Sequence, residues 1–251
     1  MFRRRLGLMI LLCLILVSFF GVLAVSASMF PKGYDWRYRV ISNLLSPRDN
    51  PQHYRVAAAG LILTGLFMVP FAFHLTHSLR VVSIFAARIA GATLLLGIVA
   101  LIADCFVVPQ HAHATLGIRR FHESLARSSA GLIGLSMLVG CWCAWNGRGR
   151  VLPRWLFRVW GTVTLLPLAG VVCSEALLLL SQFDPALSRP IRNALRHSVF
   201  WHLGFWEWIG AVAVFIFLCA ATFLKPNESD GCFHVAGADG APTDPRLRNT
   251  E

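Results

Sequence analysis

Six apolar runs, each about as long as a bilayer is thick, leave this chain few folds to choose from. A hydrocarbon core of roughly 30 Å needs about 20 apolar residues per helix. The runs fall at about 6–28, 56–76, 82–107, 121–145, 155–181 and 199–224 by that length criterion. Backbone polar groups in lipid must be paired within their own segment, so each run is expected as a helix. Composition agrees: 56% of the 251 residues are hydrophobic, against about 45–50% in a soluble domain. The expected fold is all-α, a polytopic bundle of six transmembrane helices over residues 1–225. Residues 226–251, rich in Gly, Pro, Asp and Asn, are expected as a disordered cytoplasmic tail.

The first run follows Arg3, Arg4 and Arg5, and Val25-Ser26-Ala27 has the small residues of a signal-peptide cleavage site. The run exceeds the roughly 7–15 residues of a signal core, so a retained helix is expected. The charge balance, 23 basic against 12 acidic residues, gives a net +11. Loop arginines facing anionic headgroups account for this excess. Membrane lipids are therefore the expected partners. Nucleic acid is not, because its binding needs a soluble basic surface. The two sides of the membrane receive nearly equal basic counts, so that comparison does not orient the bundle. The arginines before the first helix and the acid-free loop Asn146–Arg154 place both termini in the cytoplasm. Oligomeric state is not legible.

The seven cysteines give no disulfide framework. Cys141 and Cys143 form a C-x-C without a second pair at metal spacing, and read as small buried hydrophobes.

Between the first two runs, Trp36, Val40, Ile41, Leu44 and Leu45 recur at helical spacing, with Ser46-Pro47 closing the segment. This predicts a short amphipathic helix lying in the outer interface. A second such segment is expected at Ser188–His197, with Pro190 in its first turn.

Ionisable groups collect at one end of this layout. Up-and-down threading brings Asp35, His53, Asp104, His111, His113, His122, Glu123, Glu175, His197, His202 and Glu207 to the outer side. Charges near membrane depth are costly and by default suggest function. Stepping back from Asp104 along its helix gives Ala100, Gly97, Thr93 and Ala90, all small. Membrane helices pack along such stripes, so Asp104 is expected to face the bundle. His122 leads into Ala126, Ser129 or Ala130 and then Ile133, and is expected inward as well. Glu207, His202 and Glu175 give weaker patterns of the same kind.

Asp35, Ser42, Asn43, Asp104, Glu175 and Glu207 are the candidate lining of a ligand pocket at the outer face. Asp104, His122 and His202 are the candidate metal ligands. Zinc accepts imidazole nitrogen and carboxylate oxygen and acidifies a bound water. Three readings stay open: a protein that binds a lipid or small ligand, a metal-dependent hydrolase of a lipid amide or ester, and a transporter. Pairing of these groups with the outer arginines Arg119, Arg127 and Arg196 is the structural alternative. His74 and His77, near the inner end of the second helix, have no histidine at matching depth and do not suggest haem.

The stretch from Tyr34-Asp35-Trp36 through Ile41-Ser42-Asn43-Leu44-Leu45-Ser46-Pro47, followed by Asn50-Pro51, resembles the first outer loop of a bacterial six-helix membrane family, domain of unknown function 998. Gly60 and Gly65 in the next helix are similar to that family's second helix. The resemblance implies residues 10–222 as the family domain, in a bacterial inner membrane, with no settled activity. The chain departs from the family at Asn43–Ser46, where an acidic residue and a glycine are common. The Frag1/DRAM/Sfk1 membrane proteins are more distantly similar. Alkaline ceramidases resemble it only in layout, through the order of Ser42, Asp104, His122, His197 and His202.

Overall fold

The computed structural model of the chain describes residues 2–31, 33–107, 116–147, 154–183 and 202–224, with isolated positions between 186 and 199. Among them there is no strand. The first helix runs as α1 (Phe2–Leu16), a π-helical turn (Val17–Gly21) and α2 (Val22–Ser28). A four-residue turn of helix, α3 (Ser42–Leu45), follows. The long helices are α4 (Tyr54–Leu79), α5 (Ile84–Val107), α6 (Leu116–Asn146), α7 (Arg154–Phe183) and α8 (Leu203–Ala221). α4 and α7 run through Pro70 and Pro167.

Among the described residues, five helices are long and apolar enough to cross a membrane: Arg5–Ser28, Tyr54–Leu79, Ile84–Val107, Phe121–Asn146 and Leu203–Ala221. Within α7, Gly161–Ser174 is a further apolar stretch. The outer surface of the bundle is itself apolar. Phe73, Phe85, Phe106 and Leu166 are all more than 60% exposed, a pattern that soluble proteins avoid and lipid tolerates. The protein is a membrane-embedded helical bundle.

Small residues set the packing, as the sequence leads one to expect. α5 lies along both α4 and α6, and α7 pairs with α8. At the α5–α6 seam, a Cβ on Gly97 would stand 2.7 Å from Ile133, so only glycine permits this approach. There the Ser129 hydroxyl donates to the Gly97 carbonyl (2.9 Å) and Ser136 donates to the Ala90 carbonyl (2.7 Å). Interhelical bonds of this kind contribute about 0.6 kcal/mol each. At the first helix, Gly60 admits the Ser18 carbonyl and Val22, while the Ser18 and Thr64 hydroxyls meet at 2.8 Å. This contact sits on the π-helical turn. Between α7 and α8, the Trp206 ring fills the notch left by Gly170. His74 joins α4 to the end of α8 through the Ala221 carbonyl at 2.9 Å. The C-x-C cysteines Cys141 and Cys143 are buried apolar groups in α6, as expected.

The connection between α2 and α4 differs from its expectation. A helix over Trp36–Leu45 is expected on the membrane surface, but only Ser42–Leu45 is helical. Leu44 and Leu45 are turned into the protein, where they pack with Leu23, Phe30, Ala57 and Leu61. Leu101, Cys105 and Trp208 border that cluster. Leu44 and Leu45 are therefore satisfied by protein rather than lipid, while Trp36 stays 45% exposed, and the segment forms a cap over the end of the bundle. Asn50, fully buried, pins it: its amide donates to Ser26 Oγ (2.8 Å) and to the Leu44 carbonyl (3.0 Å). Ser188–His197 and the tail 226–251 lie outside the continuously described residues.

Candidate functional site

Asp104 ends the small-residue stripe of α5 and His122 begins that of α6. α5 and α6 are antiparallel neighbours, so the two stripes bring both side chains to one end of one seam. Asp104 Oδ1 and His122 Nδ1 are 2.7 Å apart, with side chains only 7% and 11% exposed. The contact has the distance of an ion pair but not the alignment of a hydrogen bond, leaving both atoms without a well-directed partner. We read it as a charge contact. Replacing a buried pair by apolar groups is often neutral or stabilising, so such a pair is weak evidence of a stabilising role.

The cap supplies the next layer. The backbone N–H of Ile41, at the start of α3, donates to Glu207 Oε2 of α8 at 2.7 Å. Bonds to an ionised carboxylate are among the stronger ones. One residue further along α8, Trp208 Nε1 donates to the Tyr34 oxygen (3.1 Å). Tyr34 in turn directs its hydroxyl proton between the Arg39 and Val40 carbonyls, at 3.0 and 3.1 Å. Gly204 lets the Arg39 backbone lie against α8, where a Cβ would stand 2.5 Å from the Arg39 carbonyl oxygen. Trp36 stacks on Phe205, and Tyr38 meets His202 edge-on at 4.6 Å between centroids. Burial pushes the Tyr34 hydroxyl up to about 12; Glu207 reinforces this, while the Trp208 hydrogen bond and Arg39 oppose it. Glu207 lies within electrostatic range of both the His122 ring and the Tyr34 hydroxyl. The cap and the Asp104–His122 pair thus share one polar end of the bundle.

Of the expected pocket residues, Asp104 and Glu207 are placed in this assembly. Asp35 is turned outward, where it accepts the Arg37 N–H at 3.0 Å and faces the Arg37 side chain at 3.5 Å. Ser42 and Asn43 are half-buried in α3. The side chain of Glu175, and His111, His113 and His197, lie outside the described residues. Of the expected metal ligands, Asp104 and His122 meet, while His202 is drawn to Tyr38. Among the described residues no group of three His, Cys, Asp or Glu side chains is placed to hold a metal, so these residues do not by themselves supply a zinc shell. Tyr34, Ile41, Asn50 and Trp208 enter the site without having been singled out for it. Tyr34 and Asn50 are conspicuous only as the ends of the loop stretch. The role of Ile41 is carried by its backbone, which side-chain identity does not reveal.

No family model, curated protein or solved structure matches this chain.

Proposed function

We propose that this is an integral membrane protein that binds a lipid headgroup or small polar ligand at the outer end of its bundle. The carrying observation is the Asp104–His122 pair, nearly excluded from solvent at the end of the bundle where the cap is tied to α8 by Glu207 and Trp208. An ionisable pair at membrane depth is a functional-site hypothesis by default. Its charge contact, with Glu207 close by, offers a polar ligand both an acceptor and a donor. The reading includes a sixth span through α7, whose 30 residues would reach about 45 Å at 1.5 Å per residue. It also includes cytoplasmic termini, a bacterial inner membrane, and membership of the family resembled by Tyr34–Pro51.

Mass spectrometry of molecules retained through detergent purification tests the reading. We expect one species retained near stoichiometry by wild type and lost from Asp104→Asn and Glu207→Ala. Identical retained molecules in all three proteins would overturn it.

One contact favours a second reading, a metal-dependent hydrolase of a lipid amide or ester. A carboxylate against Nδ1 orients an imidazole so that Nε2 can serve as ligand or base. Stoichiometric zinc in wild type, lost in His122→Ala, would favour this reading over the first.

A further inference from the structure

The end of the bundle opposite the Asp104–His122 pair carries a groove that the proposed function does not use. It opens between the start of α5 and the end of α6, with a volume of about 390 Å³. Phe85, Ala86 and Ile89 line one wall, Leu138 and Trp142 the other, and Ser83 stands at its α5 end. The lining is almost wholly hydrocarbon, which suits an acyl chain.

The charge around it is of one sign. The sequence has no Asp or Glu between Arg55 and Asp104, and none between Glu123 and Glu175. The helices at this end therefore carry no carboxylate on α5 before Asp104 or on α6 after Glu123. Arg80, at the end of α4, and Arg88, one turn into α5, are both exposed. Arg88 follows Phe85 by three residues, so it stands next to Phe85 on the helix surface, beside the groove lining. A long arginine at this depth lays its stem along apolar surface and lifts its guanidinium to the headgroup level. Arg88 makes no ion pair among the described residues. Trp142 supplies an amphipathic ring of the kind that settles at the headgroup boundary.

From this juxtaposition we infer that the α5–α6 groove is a binding site for an anionic phospholipid. Its acyl chain lies along Ala86, Ile89, Leu138 and Trp142, and its phosphate meets Arg88, with Arg80 nearby. Guanidinium and phosphate match in charge and in hydrogen-bond geometry. Basic residues beside a cleft between membrane helices are a general way of holding such headgroups.

Native mass spectrometry of the full chain in detergent tests this, with phosphatidylglycerol and phosphatidylcholine of identical acyl chains offered as competitors. Wild type is expected to retain phosphatidylglycerol about fivefold over phosphatidylcholine, the effect of one arginine at an anionic surface. Arg88→Gln should bring the ratio close to one, and Arg88→Lys should keep most of it. Trp142→Ala should lower retention of both lipids. Arg55→Gln, an exposed arginine at the other end, should leave the ratio unchanged. A wild-type ratio near one would mean ordinary annular lipid and would overturn the proposal. So would a preference that survives Arg88→Gln or falls equally in Arg55→Gln.

Discussion

At the residue scale the chemistry rests on a few polar groups with few partners. Breaking the Asp104–His122 contact from one side leaves the other group buried and uncompensated. Asp104→Asn or His122→Gln should each destabilise the bundle by about 3–5 kcal/mol, read as thermal unfolding in detergent, with strong non-additivity in the double variant. If the two losses simply add, the residues do not act as a pair. Tyr34 gives a pH prediction. Its folded pKa is raised to about 12 from an ordinary 10.0, so the folded state holds its proton longer than the unfolded state does. Its contribution to stability is therefore complete below about pH 10 and is lost as pH rises toward 12. Of the three tyrosines, one should ionise near pH 12 in tyrosinate absorbance, and Tyr34→Phe should remove that step. Were the step to remain in Tyr34→Phe, the burial of this hydroxyl would be misassigned. The sequence showed Asp104 and His122 well, because small residues at helical spacing point inward whatever the partner helix. It did not show that Asp104 would meet His122, because contact depends on the axial register of α5 against α6. Nor did it show Glu207 holding the Ile41 N–H, a contact 166 residues apart in the chain.

At the element scale, the helices were legible and the cap was not. Apolar length alone marked each long helix, since lipid leaves the backbone no other way to satisfy itself. The Phe30–Arg55 connection carried a helical period too. That period cannot say whether its apolar face meets lipid or protein, and Leu44 and Leu45 are buried in the protein. Asn50 explains why the cap stays down. Asn50→Ala should cost about 1–3 kcal/mol through the lost bonds, and limited proteolysis should then cut within residues 34–50 faster than in wild type. Unchanged cleavage would show that the cap is held by its apolar cluster alone. The helix seams make a paired prediction. Gly97→Leu should destabilise by about 1–3 kcal/mol through overpacking against Ile133. Gly131→Ala, where a Cβ meets nothing within 4 Å, should be neutral or slightly stabilising in the same thermal assay. Equal effects at the two positions would contradict the close α5–α6 approach.

At the scale of the whole molecule, the bundle has two chemically different ends. One, the capped end, gathers carboxylates and histidines, and the other is basic around an apolar groove. Orientation was not legible from the basic count in the same way. Basic residues are nearly balanced between the two sides. We propose that the capped end is built to bind something rather than to hold the helices together. Replacing both members of the buried pair by apolar groups of similar size separates these possibilities. The most direct measurement is thermal unfolding of the Asp104→Leu/His122→Leu double variant in detergent, with its retained molecules analysed from the same preparation. We expect a bundle at least as stable as wild type that no longer retains the wild-type ligand. A double variant that unfolds much earlier, or that keeps the ligand, would contradict it.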